Sequence, residues 1–104
     1  MSEKEYKLRF LPLFKSDLTE ATDYILTVLD SPEAAKSLVD RVENAITERR
    51  KAPEAYEQYK SAKERKYPYY RIYIGNYTVF YVVIGDIMEV RRLLYNRRNW
   101  KNIL

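Results

Sequence analysis

Histidine and cysteine are both absent from the 104 residues, which removes the commonest general base, the commonest metal ligand and any thiolate nucleophile or disulfide. Acid–base chemistry in this chain rests on Tyr, Lys, Arg and carboxylates. The side chains suited to such work are gathered in one half. Nine of the 11 tyrosines fall at or after Tyr56. Residues 1–51 carry 9 basic and 10 acidic groups, net −1, whereas residues 52–104 carry 10 basic and 5 acidic, net +5. Guanidinium and ammonium groups interleaved with aromatic rings suit phosphate pairing and base stacking. The competing reading is that tyrosine is a good strand residue and that Lys and Arg decorate a solvated sheet face.

The spacing of apolar residues indicates what positions these groups. Residues 6–11, YKLRFL, alternate with Tyr6, Leu8 and Phe10 on one face, the pattern of a half-buried strand. Pro12 suits the first turn of a helix that runs from Leu13 to about Leu29, with Leu18, Ala21, Ile25 and Val28 as its apolar stripe. Ser31-Pro32-Glu33 supplies a cap hydroxyl, a proline at the first helical position and an acid near the positive helix end. The second helix carries Ala35, Leu38, Val39, Val42 and Ile46, and its Arg49–Lys51 tail complements the helix dipole. Residues 52–68 have no sustained period and read as a mobile basic loop holding Lys60, Lys63, Arg65 and Lys66. Three β-branched and aromatic runs follow, punctuated by Gly75-Asn76 and Gly85-Asp86, the signature of two-residue type II′ hairpins. The last nine residues allow only a terminal turn or strand.

These elements give a single α+β domain over residues 1–104 in the order β-α-α-β-β-β, with the two N-terminal helices packed on one face of a small, mainly antiparallel sheet. Alternation sets Tyr70, Ile72 and Ile74 toward the helices and Tyr69, Arg71 and Tyr73 away from them. It likewise sets Met88, Val90 and Leu94 against Glu89, Arg91 and Tyr95, with Arg92 breaking the apolar face. The charged start MSEKEYK is no signal peptide, and no run approaches a membrane span, so a cytoplasmic protein without membrane association is expected.

The order of these elements, with FLPLFKSDLTEATDYI, SPEAAKSLVDRV, YYRIYIGNYTVFYVV and EVRRLLYNRRN, resembles the RelE/ParE superfamily of toxins from bacterial type II toxin–antitoxin modules, the class of plasmid stabilization systems. The likeness runs from about Tyr6 to the C-terminus. RelE-like members cut mRNA in the ribosomal A site and ParE-like members poison DNA gyrase; the resemblance implies one of these activities, no cofactor or metal, and a cognate acidic antitoxin as partner. An mRNA-cleaving endoribonuclease acting on the ribosome is the expectation, with a gyrase poison lacking chemistry of its own, or an inactive antitoxin-binding relative, as the alternatives. For cleavage the resemblance points to Arg71, Tyr73, Tyr95 and Arg97 as catalytic, and RNA binding would fall to Lys60, Lys63, Arg65, Lys66, Arg91 and Arg98. The match is partial: Tyr73 replaces a basic residue, Thr78 stands where those enzymes carry an arginine, and the expected C-terminal tyrosine falls near Ile103. Chemistry sets a further demand. A tyrosine of ordinary pKa ~10 is a poor base at neutral pH unless neighbouring cations lower it, so the arginines must lie close to the phenols.

Overall fold

Pro12 and Pro32 each stand at the first turn of a helix, where a missing backbone N–H costs nothing. The computed structural model describes residues 5–60 and 65–104. Strand β1 (Lys7–Phe10) leads into α1 (Pro12–Thr27), and after a tight connection with Asp30 at φ +50° the Ser31 Oγ accepts from the Ala34 N–H to open α2 (Pro32–Arg49). The α1 stripe is Phe14, Asp17, Ala21 and Ile25, with Leu18 at its margin. Val28 departs from the expected stripe: α1 ends at Thr27, and Val28 is 62% exposed just beyond it. Ala35, Leu38, Val42 and Ile46 form the buried stripe of α2, and Val39 is half-buried at its edge.

The sheet has five strands in the order β1-β5-β4-β3-β2. Its centre is the antiparallel meander of β3 (Tyr69–Ile74), β4 (Tyr77–Ile84) and β5 (Ile87–Tyr95), and β1 lies parallel to β5. Both hairpins have two-residue turns with glycine at φ +58° (Gly75) and +61° (Gly85). Alanine at either glycine should cost about 1–2 kcal/mol through the left-handed backbone. A Cβ at Gly75 would also meet the Arg41 guanidinium at 2.9 Å, whereas none is crowded at Gly85. That guanidinium ends a flexible chain and can move aside, so denaturant unfolding should find the two variants within ~0.5 kcal/mol of each other. A much larger loss at Gly75 would mean that Arg41 is fixed in place.

Three features depart from the sequence expectation. Residues 52–68 are not wholly loop: β2 (Gln58–Tyr59) pairs antiparallel with the edge of β3. The last residues form a short helix, α3 (Trp100–Ile103). Third, β5 carries a bulge. Phe80 faces Arg92 while Tyr81 faces Val90, leaving Arg91 as the extra residue. The alternation of β5 inverts there, so Leu93 joins the helix-side core and Leu94, expected beside Met88 and Val90, joins the opposite face. Arg92 reaches Asp17 of α1 through two bonds of 2.7 and 3.0 Å.

The main core lies between the helices and the sheet, with Val42, Ile46, Tyr70, Ile72, Val79, Tyr81, Met88 and Val90 among its members. A second, smaller cluster occupies the other face. There Tyr69, Phe80, Val82 and Leu94 are covered by Trp100, Ile103 and Leu104. The face turned from the helices is therefore closed at its middle and open around the margins. Among the described residues no helix is long and apolar enough to cross a membrane.

Candidate functional site

Period-two alternation on β3 turns Arg71 away from the helices, opposite Phe80 on β4. Its guanidinium carbon lies 5.2 Å from the Tyr59 ring centre and 5.6 Å from that of Tyr73, a cation between two aromatic rings. Trp100 closes the platform, with ring centres 5.0 Å from Phe80, 5.9 Å from Tyr59 and 6.5 Å from Tyr73. Its indole N–H donates to the Tyr95 carbonyl. No carboxylate pairs with Arg71 among the described residues, in contrast to its neighbours Arg91 and Arg92. Arg71 is half-buried and Tyr73 is 60% exposed, so a charge and a ring are presented together.

Tyr59 owes its place to a residue that sequence reading assigned only to the helix dipole. Arg49, at the end of α2, lies 3.4 Å over the Tyr56 ring and donates to the Arg71 carbonyl (3.1 Å) and the Tyr81 hydroxyl (2.9 Å). The Tyr81 hydroxyl in turn donates to the Pro53 carbonyl. These bonds fasten residues 53–56 to the sheet and so deliver β2 to the edge of β3. Burial outweighs the opposing pull of Arg49 and pushes the Tyr81 phenol up to about 12, so it is a permanent donor. Nothing in a Glu-Arg-Arg-Lys helix end signals such a bridge.

The other expected site residues divide between faces. Tyr95 was expected on the side of Glu89 and Arg91, but it follows the bulge and turns to the helix side, where its ring meets Tyr77 at 5.4 Å. There it lines, with Arg98, Tyr24, Leu29 and Arg41, a groove of about 790 Å³ between the helices and the ends of the strands. The structure brings Arg71 and Tyr73 together and separates them from Tyr95 and Arg98. Arg97 is exposed in the turn after β5. Lys60 follows β2 and lines a recess with Arg71, Tyr56 and Tyr70, alongside Glu54 and Glu57. Arg65 stacks on Tyr69 at 4.7 Å and donates to the Leu104 carbonyl, while the Lys66 ammonium lies 5.5 Å from the Tyr67 ring. Lys63 lies outside the described residues. Thr78 is fully buried, and its hydroxyl bonds to the Asn96 side chain at 2.7 Å.

Arg91 pairs with Glu89, which also receives Arg9. Burial by itself would raise the Glu89 carboxyl, but hydrogen bonds and charge from Arg91 and Arg9 outweigh it and hold the group below its ordinary value of 4.5. A depressed folded-state value stabilises the fold above the unfolded pKa, and that contribution is lost as pH falls through the folded value. Glu89→Gln should therefore be less stable than the parent at neutral pH, and the difference should shrink on acidification below about 4.5. Urea unfolding at a series of pH values checks this; a difference unchanged in acid would mean that the ionised carboxylate contributes nothing.

Residues 8–100 match the family described as ParE toxin of type II toxin–antitoxin system, parDE. The chain belongs to the ParE toxin family. No curated protein matches it. Among solved structures, this ParE-family chain is similar to one from a chromosomal ParDE toxin–antitoxin system of P. aeruginosa, with a TM-score of 0.69 at 16% identity, covering 90% of this chain and 98% of that one. It is also similar to a chain of the RelB–RelE antitoxin–toxin complex of Methanococcus jannaschii, with a TM-score of 0.53 at 23% identity over 86% and 91% of the two chains. A chain of the archaeal RelE–RelB complex of Pyrococcus horikoshii OT3 gives 0.53 at 15% identity over 91% and 99%. At these identities the likeness is one of fold: two helices against one face of a five-stranded mixed sheet, the architecture of the RelE/ParE superfamily of type II toxins.

Proposed function

We propose that this ParE-family toxin acts by binding its target rather than by cutting RNA, and that the target is DNA gyrase. The observation that carries this reading is the division of the expected catalytic set: Tyr95 packs against Tyr77 on the helix side while Arg71 lies across the sheet with Tyr59 and Tyr73. Metal-independent cleavage needs a proton acceptor beside the 2′-hydroxyl and cations around the phosphate. Thr78, buried and bonded to Asn96, supplies no cation at the position where RelE-like enzymes carry one. The family match to ParE toxins points the same way.

A second reading retains mRNA cleavage on the ribosome, favoured by the contact of Arg71 with Tyr73. One pair of assays separates them. Purified gyrase should lose supercoiling activity and accumulate DNA breaks with the chain present, and primer extension on messages from arrested cells should show no new ends within codons. Breaks absent and new ends present would replace the first reading with the second. Cytoplasm is the compartment both require.

The solved neighbours include toxins held by antitoxins, and we infer an acidic antitoxin for this chain as well. Acidic side chains would neutralise Arg71 and Arg98, and apolar ones would cover Tyr73 and Tyr95. Because those pairs lie on different faces, one antitoxin that masks both must pass round an edge of the sheet.

A further inference from the structure

A second group of cations lies on the face turned from the helices, at the junction of β1 and β5, where nothing in the proposed function has used it. Arg9 and Glu89 are register partners across the parallel β1–β5 pair. The Glu89 side chain is only 7% exposed, and each of its oxygens is taken: Arg9 Nε donates to Oε1 and Arg91 Nε to Oε2, both at 2.8 Å. Glu89 thus fixes two guanidiniums side by side through their Nε atoms. The terminal amino groups of Arg9, on a side chain 47% exposed, have no further partner among the described residues. Arg65 completes the group, since it and Arg91 approach the same Tyr69 ring at 4.7 and 6.0 Å. Asp86, in the turn before β5, lies 4.0 Å from the Lys7 ammonium.

Two guanidiniums on one carboxylate, with the Arg65 guanidinium on the ring that Arg91 also approaches and donating to the Leu104 carbonyl, leave a local excess of positive charge, and the donors of Arg9 and Arg91 are already oriented. A solvated surface arginine spends rotamer entropy to reach a ligand, and a buried carboxylate that anchors Nε removes much of that cost. The acceptor that matches paired guanidinium forks is an oxyanion with several oxygens, and phosphate is the commonest in a cell. We propose that Arg9 and Arg91, bracketed by Glu89, with Arg65 beside them on Tyr69, form a phosphate site that holds the backbone of DNA. The site extends the gyrase reading, its ligand there being the DNA that gyrase holds, so the toxin would touch nucleic acid as well as protein. It addresses backbone and not bases, so it is indifferent to sequence.

The test is run without gyrase, so that the site and the gyrase reading fail separately. Fluorescence anisotropy of a short labelled DNA duplex is measured against the full-length chain over a range of salt concentrations. Arg9→Ala, which leaves Arg91 on Glu89, should bind about tenfold more weakly, with a salt slope smaller by about one. Glu89→Gln provides the sharper measurement. It makes the chain more positive by one charge, so a diffuse basic patch would bind DNA more tightly, whereas a bracket that has lost its anchor binds several-fold more weakly. Melting curves establish that both variants are folded at the assay temperature. Unchanged binding by Arg9→Ala or tighter binding by Glu89→Gln would each overturn the proposal. So would displacement by an RNA strand of the same sequence at a tenth of the concentration that DNA requires, since RNA would then be the occupant. DNA binding with unaffected gyrase would leave the site standing and remove the gyrase reading; gyrase inhibition by a chain that ignores DNA would do the reverse.

Discussion

Arg71→Ala is expected to lose ten- to hundredfold in target engagement, read as growth inhibition at matched soluble expression. Among the described residues the side chain is the one guanidinium of the central strands without a carboxylate partner, held between Tyr59 and Tyr73. A charge-assisted contact made by such a group contributes roughly 1.5–3 kcal/mol. Folding should suffer far less. The ring contacts are worth on the order of 1 kcal/mol, and the Arg49 bond is to the Arg71 backbone carbonyl, which alanine retains. Arg71→Lys should fall between, because an ammonium keeps the charge and loses the planar fork. A stably folded Arg71→Ala chain with full toxicity would remove this platform from the working surface and leave the groove at Tyr95 and Arg98 in its place.

The largest expected effect on stability belongs to Asp17. Its carboxylate is buried on the core side of α1 and accepts three bonds from β5, two from Arg92 and one from the Leu93 N–H. Asp17→Ala strands a guanidinium that is only 19% exposed and leaves a buried backbone donor without its acceptor. Breaking a buried pair in this way costs about 3–5 kcal/mol, a large share of the ~5–15 kcal/mol that holds a domain together. The midpoint of thermal unfolding should fall on the order of 20 °C. Asp17→Asn, which keeps an acceptor for Leu93 and loses the charge, should lie between. A fall of only a few degrees for the alanine variant would mean that Arg92 finds solvent as readily as it finds Asp17.

What local rules govern was legible in the sequence. Pro12, Ser31 and Pro32 set the helix starts through backbone chemistry that acts within a few residues, and Gly75 and Gly85 set the hairpins by their positive φ. Period two alone placed Tyr70, Ile72 and Ile74 in the core and Arg71 with Tyr73 outside it. What failed depended on one residue more or on partners far along the chain. The bulge at Arg91 inverts the alternation of Leu93, Leu94 and Tyr95, which is why Leu94 and Tyr95 occupy faces opposite to those expected and why the expected catalytic set divides. Asp17 and Arg92 are 75 residues apart, and no pattern in either segment names the other. Two-residue β2 has no period to detect, and it exists because Arg49, Tyr56 and Tyr81 hold its approach to the sheet.

The pairing of β1 with β5 also fixes when the chain can act. Among the described residues β1 has no other partner in the sheet, and its register runs from Lys7 against Ile87 to Phe10 against Val90. During synthesis the first strand must therefore wait for nearly the last, and a ribosome that adds ~5–20 residues each second keeps it waiting for several seconds. The helices leave the exit tunnel early, but β4 and β5 supply most of the surface on which they settle. Contacts of such long sequence separation form late and slowly. A nascent chain of this kind therefore reaches its packed form only after β5 has been made, and any surface that depends on β5, such as the Arg9–Glu89–Arg91 group, is assembled late.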